Sequence, residues 1–380
     1  MKTALFEYSG GKWAQHPLSK HPDKNKIQLV LCFSGKKRFA KEDIYRLLKE
    51  DFPNSAIAMC STAGEIYNNT VQDNSVIAVG IEFEKTEIKA ASVNILDFQN
   101  SYEAAKELAK QLLHEGLSYM MVISDGSMVN GSELVKGLGE VAGEKILVTG
   151  GLAGDGPDFS STLIGLNEQP AEGNIIAIGF YGNHLAVTHG SCGGWDTFGL
   201  EKRITKSVGN ILFEIDNKNA LDLYKKYLGP DADQLPKSAL LFPLSVTAPG
   251  SNSQVVRTIL SIDEENKSMI FAGDVPEGSS VRFMRSNFDA LTAAASIAAK
   301  HSIFNDQEKP GFALLVSCVG RKLILGPRID EEVDAVAETF GNNTLLAGFY
   351  SYGEIAPFNE GGHCMLHNQT MTITSFYELP

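Results

Sequence analysis

Apolar runs of strand length alternate with segments of helical periodicity along most of the chain. In the segment 101–114, Ala104, Ala105, Leu108 and Leu112 recur at the spacing of an amphipathic helix packed on a core. The same pattern predicts further helices over 41–51, 131–142, 219–228 and 287–302. Short apolar runs predict strands over 28–34, 56–61, 75–84, 87–96, 119–124, 146–150, 161–166, 174–181, 184–190, 203–214, 239–245, 254–262, 268–273, 280–284 and 364–377.

Many of the predicted strands follow one another without an intervening helix. The strands 75–84 and 87–96 are rich in β-branched residues and are joined by only a short turn, so we expect them to form an antiparallel pair. Residues 3–13 predict a smaller hairpin near the start of the chain. This order of elements favours an α+β fold, with large mixed or antiparallel sheets flanked by helices, over a doubly wound parallel sheet.

A short motif occurs three times, each time directly after an apolar run. It consists of a small residue, a glycine and a carboxylate, and its copies lie at 60–66, 150–156 and 350–355. Another apolar run precedes each copy and ends in a small turn, at Gly35, Gly126 and Gly320 respectively. The distance between each turn and its motif accommodates a strand, a helix and a return strand. The sequence therefore predicts one β-α-β-β unit used three times, each presenting an acid at a strand end.

The strongest candidate for a domain boundary is the segment 229–237, Gly-Pro-Asp-Ala-Asp-Gln-Leu-Pro-Lys. Its glycine and proline residues stop the preceding helix. We therefore predict an N-terminal hairpin and loop over 1–24, a first large domain over 25–228 and a second over 238–380. A chain of 380 residues that is 43% hydrophobic can bury cores of that size.

The net charge of −13 is spread along the chain. A negative field of this kind repels nucleic acids and anionic membrane surfaces, so we expect neither as a partner. An acid at Glu7 interrupts the start of the chain before the apolar core of a signal peptide develops, and no apolar run is long enough to span a bilayer. Five cysteines without paired spacing are typical of a reducing compartment, which indicates a cytoplasmic protein.

The three repeated acids, Glu65, Asp155 and Glu354, are candidate ligand-binding residues. A carboxylate at a strand end can hold a ligand ammonium by a charge-assisted hydrogen bond. It can also accept the backbone N–H groups of its own turn, which is a purely structural role. Glu354 is the preferred candidate, because Tyr350, Tyr352 and His367 could surround it with stacking and hydrogen-bonding groups.

Arg257 and Arg321 lie beside apolar strands and are further candidates for a ligand site. Arginine suits bidentate capture of a carboxylate, including that of a small ligand. The alternative for each is a structural ion pair with Glu354 or another acid.

His189 ends a predicted strand and could act as an axial haem ligand or as an ordinary hydrogen-bonded residue. The segment 363–367 contains a Cys-x-x-His, but in a strand its side chains diverge, and the remaining cysteines lack zinc spacing. We therefore predict no metal site. We also find no recognisable nucleophile, zinc-protease or nucleotide-loop motif, so we expect no catalytic residues and no enzyme activity.

Taken together, the motifs resemble those of the FIST family of intracellular signal-transduction modules, which have a FIST N and a FIST C domain. The resemblance covers roughly residues 25 to 377, with the matching motifs in the family's order. The matching stretches are 61–66, 150–156, 209–216, 220–222, 271–278, 348–357 and 366–371.

This resemblance implies a sensory protein that binds a small ligand, such as an amino acid or a related metabolite. Because the two domains would fill the chain, it would signal through a partner protein such as a histidine kinase. One branch of the family binds haem and senses nitric oxide, and His189 would be the residue to examine for that alternative. Relatives that join FIST domains to an F-box imply another alternative, a protein-interaction scaffold.

Overall fold

The computed structural model of the protein describes residues 1–143, 145–251, 253–305, 309–341, 344–358 and 362–379. Several helices begin directly after an asparagine whose side chain accepts backbone N–H groups of the first turn, at Asn100, Asn130, Asn219 and Asn287. No helix in the described part of the chain is long and apolar enough to cross a membrane. The helices are α1 (Lys36–Lys41), α2 (Ile44–Asp51), α3 (Ser101–Leu112), α4 (Gly131–Ala142), α5 (Ala220–Leu228), α6 (Phe288–His301), α7 (Val319–Leu325) and α8 (Asp330–Phe340).

The strands of the first half are β1 (Lys2–Ser9), β2 (Lys12–Gln15), β3 (Leu29–Gly35), β4 (Ala56–Thr62), β5 (Glu65–Tyr67), β6 (Thr70–Gln72), β7 (Val76–Glu82), β8 (Glu87–Asn94), β9 (Leu117–Ser124), β10 (Leu147–Leu152), β11 (Ile164–Leu166), β12 (Asn174–Tyr181) and β13 (Leu185–Cys192). Those of the second half are β14 (Asp196–Val208), β15 (Ile211–Ile215), β16 (Lys218–Asn219), β17 (Leu244–Thr247), β18 (Gln254–Arg257), β19 (Ile259–Asp263), β20 (Ser268–Phe271), β21 (Ser280–Arg285), β22 (Phe312–Cys318), β23 (Leu346–Ser351), β24 (Gly353–Pro357), β25 (Cys364–His367) and β26 (Met371–Glu378). The mixed sheets and flanking helices confirm the predicted fold class.

Three strand pairs are parallel in the part of the chain that the structure describes, and each belongs to one of the predicted repeated units. In unit one β3 pairs with β4, in unit two β9 with β10, and in unit three β22 with β23. Helices lie between the two strands of each pair in sequence, as a parallel connection requires. A later strand then pairs antiparallel with the first strand of each unit: β7 in unit one, β12 in unit two and β26 in unit three.

The three units exchange strands in a ring. The strand that follows the motif of each unit leaves its own sheet and pairs with the return strand of another unit. Thus β5 of unit one pairs with β23 of unit three, β24 of unit three with β10 of unit two, and β11 of unit two with β4 of unit one. Each unit therefore completes the sheet of a neighbour, and the first and last parts of the chain are interwoven.

The inner faces of these three sheets pack on one another around a shared apolar core. Phe33 of β3 stacks on Phe349 of β23, with ring centroids 5.2 Å apart, and Tyr119 of β9 lies against Phe376 of β26 at 5.7 Å. Burial of such large side chains is the dominant favourable contribution to folding. The contact between units therefore combines apolar packing with hydrogen bonds, both at the exchanged strands and between the buried hydroxyls of Thr149 and Thr374.

The predicted antiparallel pairing of 75–84 with 87–96 is wrong. The strand β7 pairs with β1 and β3, whereas β8 pairs with β12 in another sheet. All seven residues of β7 are buried, as in a central strand covered on both faces, and β8 alternates between exposed and buried positions, as an edge strand does. The turn between them crosses from one sheet to the next and donates N–H groups to Glu378.

A separate sheet is built mainly from the segment between units two and three. Its strand order is β18-β17-β21-β14-β15-β20-β19, and β16 pairs with β15. The predicted strand 203–214 is part of two strands, β14 and β15, joined by a turn at Gly209 with positive φ. Strands from both sides of the segment 229–237 share this sheet, and that segment forms short 3₁₀ turns. The predicted division into domains stays a prediction.

Candidate functional site

The acids of units one and three, Glu65 and Glu354, have the same surroundings. Glu354 accepts hydrogen bonds from Ser351 Oγ (2.7 Å), Thr370 Oγ1 (2.9 Å) and the Thr370 N–H (3.2 Å). Thr370 directly precedes β26, the antiparallel strand of unit three. Both carboxyl groups are fully buried.

Glu65 accepts the corresponding three bonds in unit one. Thr62 Oγ1 donates to it from three positions earlier, and the N–H and Oγ of Ser75, which directly precedes β7, each donate at 2.8 Å. Burial raises the pKa of Glu65, against the hydrogen bonds from Thr62 and Ser75, and raises that of Glu354 to about 8. These two acids therefore hold the motif turn against the next strand of their own unit. Their donors are hydroxyl groups and an N–H beside that strand, whereas the expected structural role used the backbone N–H groups of their own turn.

The acid of unit two, Asp155, is joined to Tyr352 of unit three. The Tyr352 hydroxyl donates to the Asp155 carboxylate and accepts the N–H groups of Asp155 and Phe159, both at 3.1 Å. The other carboxylate oxygen accepts the N–H groups of Ser160 and Ser161 at 3.0 Å. Burial opposes ionisation of Asp155, but these hydrogen bonds outweigh it and lower its pKa.

Arg321 lies in the protein interior, where all three guanidinium nitrogens donate hydrogen bonds to protein groups. Its Nε donates to Glu332 at 2.7 Å, Nη1 to the Gly193 carbonyl at 2.7 Å and Nη2 to the Leu291 carbonyl at 2.8 Å. Arg321 and Glu332 form a fully buried ion pair. The partner of Arg321 is therefore Glu332 rather than Glu354, and its nitrogens are directed at protein groups.

His367 is the cross-strand neighbour of Glu354 and is also buried. Its Nε2 lies 3.0 Å from the Ala356 carbonyl oxygen, and burial lowers its pKa to about 4. The imidazole is therefore neutral near pH 7 and pairs with the backbone of its own hairpin. His367 and Glu354 are thus opposite each other in the hairpin, and the recorded partner of the imidazole is the Ala356 carbonyl.

Arg257, the remaining predicted residue, lines a groove beside helix α4. The α4 groove has a volume of about 550 Å³, within the range of small-ligand pockets. Helix α4 forms one wall, and strands β17, β18 and β25 form the other. Its lining residues include Val135, Lys136, Val246, Arg257, Asp274 and Leu366.

The guanidinium of Arg257 is buried, and its hydrogen bonds go to backbone carbonyls. Nε donates to the Asp274 carbonyl at 2.9 Å, and Nη1 donates to the carbonyls of Val256 (3.2 Å) and Leu366 (3.0 Å). Nη2 donates to no group of the described residues, and the side chain forms no ion pair with them. Burial lowers the pKa of Arg257 to about 10, so it stays protonated near pH 7. The Asp274 carboxylate acts against this lowering. A buried cation whose hydrogen bonds go to backbone carbonyls is a favourable site for an anion.

Asp274 connects helix α4 to the opposite wall of the groove. Its backbone N–H donates to Ser132 Oγ at 3.0 Å, and its carboxylate accepts Lys136 Nζ at 3.1 Å. Sequence reasoning missed Lys136, Asp274 and the apolar wall, although Asp274 lies in the stretch 271–278 that carried part of the family resemblance. A lysine and an aspartate far apart in sequence give no signal of contact until the fold brings them together.

A smaller pocket, of about 340 Å³, lies at the carboxyl ends of β3 and β4. It is lined by Lys36, Glu65, Asp73, Asp155 and Asp158, among others. The two buried acids in it already accept hydrogen bonds from their own turns, and Lys36 Nζ lies 3.8 Å from Asp155. The seven predicted ligand residues are thus divided between the α4 groove (Arg257), this pocket and its border (Glu65, Asp155 and Tyr352), and the interior (Glu354, Arg321 and His367).

His189 lies on β13, opposite Thr374 of β26, and is half-buried. It lines neither the α4 groove nor the pocket beside β3 and β4. The next residue, Gly190, packs against helix α6, where an added Cβ would lie 2.0 Å from the Ala298 carbonyl oxygen. Within the described residues, no group of three or more histidine, cysteine, aspartate or glutamate side chains could hold a metal ion.

Comparison with protein-family models identifies the chain. The FIST N domain model matches residues 28–218, and the FIST C domain model matches residues 220–357. The protein therefore belongs to the FIST family, whose domains are associated with signal-transduction sensing. A comparison with curated proteins found no match. The matched ranges assign helix α4 to the FIST N domain and strands β17 and β18 to the FIST C domain, so the α4 groove lies between the two.

Proposed function

We propose that this FIST protein is a cytoplasmic sensor that binds a small ligand, an amino acid or a related metabolite, in the α4 groove. The observation that carries the proposal is the buried Arg257 guanidinium, which has one nitrogen without a hydrogen bond among the described residues and lines a groove of ligand size. A ligand carboxylate would supply an acceptor for Nη2 and a negative charge in direct contact with the guanidinium.

Signalling would follow from the position of the groove between the two matched domains. A ligand that touches α4 on one side and Arg257 on the other favours whichever arrangement of the walls fits it best. Only such differential affinity can shift a conformational equilibrium. The altered surface would then be recognised by a partner protein such as a histidine kinase.

The proposal is tested by native mass spectrometry and thermal unfolding of the full chain with a mixture of amino acids and small carboxylic acids. We expect added mass or a higher melting temperature for the wild type, and at least a tenfold loss of affinity in Arg257→Gln, since a charge-assisted hydrogen bond is lost. The matched control is Arg46→Gln, at an exposed arginine on α2. Equal binding by wild type and Arg257→Gln would refute the α4 groove as the site. The haem and scaffold alternatives stay hypotheses, and a haem titration of His189→Ala tests the first.

A further inference from the structure

Among the charged side chains that line the α4 groove, Arg257 differs from the others in having no ion pair within the described residues. Lys136 and Asp274 pair with each other at 3.1 Å, and Glu140 is paired with Lys106 at 3.1 Å. Arg257 forms no ion pair with a described residue, and the carboxylate that acts on it electrostatically, Asp274, is the one already paired with Lys136. A ligand that neutralises this site needs one negative charge, whereas a second negative charge would require a second free cation.

The remainder of the groove is predominantly apolar. Val135 of α4 faces a wall formed by Val246, Val255 and Leu366, and all four side chains are buried or nearly so. Such a wall gains from the removal of apolar ligand surface from water and loses if a charged group is buried without a partner. The groove therefore combines a single anion receptor with an apolar chamber.

We infer that the α4 groove selects ligands in which one carboxylate is attached to an apolar body, and that it discriminates against dicarboxylates, cationic amino acids and glycine. The inference rests on the proposed function and specifies its ligand class. The carboxylate would accept from Arg257 Nη2, and the body would pack on Val135, Val246 and Leu366.

Two classes of compound fit this description: apolar amino acids, and apolar carboxylic acids without an amine. Asp274 can discriminate between them, because an ammonium group needs a hydrogen-bond acceptor close to the bound carboxylate. One Asp274 oxygen accepts Lys136 Nζ, while the other accepts only a long bond, 3.5 Å, from Asn130 Nδ2. An α-ammonium group could therefore donate to Asp274. Asp274→Asn should then weaken the binding of amino acids relative to that of their deaminated analogues.

The experiment is calorimetric titration of the full chain with leucine, phenylalanine, 4-methylpentanoate and 3-phenylpropionate, against glycine, glutamate, lysine and leucinamide. We expect at least one compound of the first group to bind at least tenfold more tightly than every compound of the second. Arg257→Lys, which keeps the charge but loses the planar fork, should weaken that binding at least tenfold, and Arg46→Lys should not. Leucinamide binding as tightly as leucine would overturn the inference.

The contribution of the apolar wall to binding is tested by two matched valine substitutions on helix α4. Val135→Thr places a hydroxyl in the groove at nearly constant volume and should weaken binding several-fold, whereas Val141→Thr on the same helix lies outside the lining and should not. If glutamate or lysine binds best and depends on Arg257, the proposed function stands and the inferred selectivity fails. If no compound shows binding that depends on Arg257, both fail.

Discussion

The hydroxyl of Tyr352 lies between the carboxylate and the backbone N–H of Asp155, so a side chain of unit three closes the motif turn of unit two. The ring also stacks on Phe159, with centroids 4.5 Å apart. Phe159 adopts a positive φ of 48°, which is uncommon for a bulky residue. The contact therefore stabilises a strained loop as well as the junction of two units.

Removal of this hydroxyl should destabilise the protein. Tyr352→Phe keeps the ring stacking but leaves the N–H groups of Asp155 and Phe159 without their acceptor, so we expect the free energy of unfolding to fall by about 1–3 kcal/mol. Chemical denaturation measures the change. Tyr227→Phe, at an exposed tyrosine, is the control. Equal stabilities of the two variants would contradict the structural role of the hydroxyl.

The buried carboxyl of Glu354 should give the protein a measurable pH dependence of stability. Burial raises its pKa from 4.5 to about 8, so the folded state holds a proton that the unfolded state has released between these pH values. The contribution of Glu354 to the free energy of unfolding therefore falls as pH rises from about 4.5 to about 8, with a slope of at most about 1.4 kcal/mol per pH unit.

Glu354→Gln removes this titration. Its stability relative to the wild type should therefore improve steadily from pH 5 to pH 8 in urea unfolding series, whatever its absolute stability. Glu50→Gln, at an exposed position of α2, serves as the control and should keep the wild-type profile. A constant difference between Glu354→Gln and wild type across this range would exclude a raised pKa at Glu354.

The buried pair of Arg321 and Glu332 should behave as a coupled unit. Replacing either partner alone leaves an unpaired charge in the interior, which costs about 3–5 kcal/mol. We expect Arg321→Gln and Glu332→Gln each to be strongly destabilising, and the double variant to cost less than the sum. Denaturation of all four proteins provides the cycle, and additive effects would show that the two residues act independently.

Two glycines on α4 should respond in opposite directions to alanine. An added Cβ at Gly137 would lie 2.3 Å from the Tyr102 carbonyl oxygen on α3, whereas at Gly139 its nearest neighbour is at 3.6 Å. Gly137→Ala should therefore destabilise the protein by about 1–3 kcal/mol through overpacking. Gly139→Ala should stabilise it by about 0.5–1 kcal/mol by reducing the freedom of the unfolded chain. Melting temperatures compare the two, and the same sign for both would refute the close α3–α4 contact.

The local parts of the fold were predictable because they depend on short-range patterns. The three repeated units follow from apolar runs and glycine turns, and most predicted helices agree with the observed ones because their apolar spacing and asparagine caps lie within one segment. The pairing partners of the strands were harder to predict from the sequence. The β-branched residues of β7 and β8 indicate strands but not their neighbours, and the short turn between them wrongly suggested a hairpin.

The candidate site was predictable only in part, for a similar reason. Arg257 was identified from its residue type and its apolar neighbours. Arg321 fits the same description, yet its partner Glu332 stands in an acidic run, 330–332, that looks like an ordinary solvated helix start. Whether a buried arginine has partners for all its hydrogen bonds depends on groups far away in sequence. The sequence pattern does not show how close those groups come in the fold.

The sequence by itself determined the repeated unit, the family and the presence of an acid at the end of each return strand, since these features are written in contiguous residues. The tertiary structure decided what the acids do and where a ligand can bind. In the folded chain, Glu65 and Glu354 accept hydroxyl and N–H groups beside the next strand of their own unit, and Asp155 is joined to Tyr352 of unit three. The packing of α4 against the FIST C strands leaves Arg257 with an unused donor. Whether a buried polar group finds hydrogen-bond partners depends on all its neighbours, and only the folded chain brings those neighbours together.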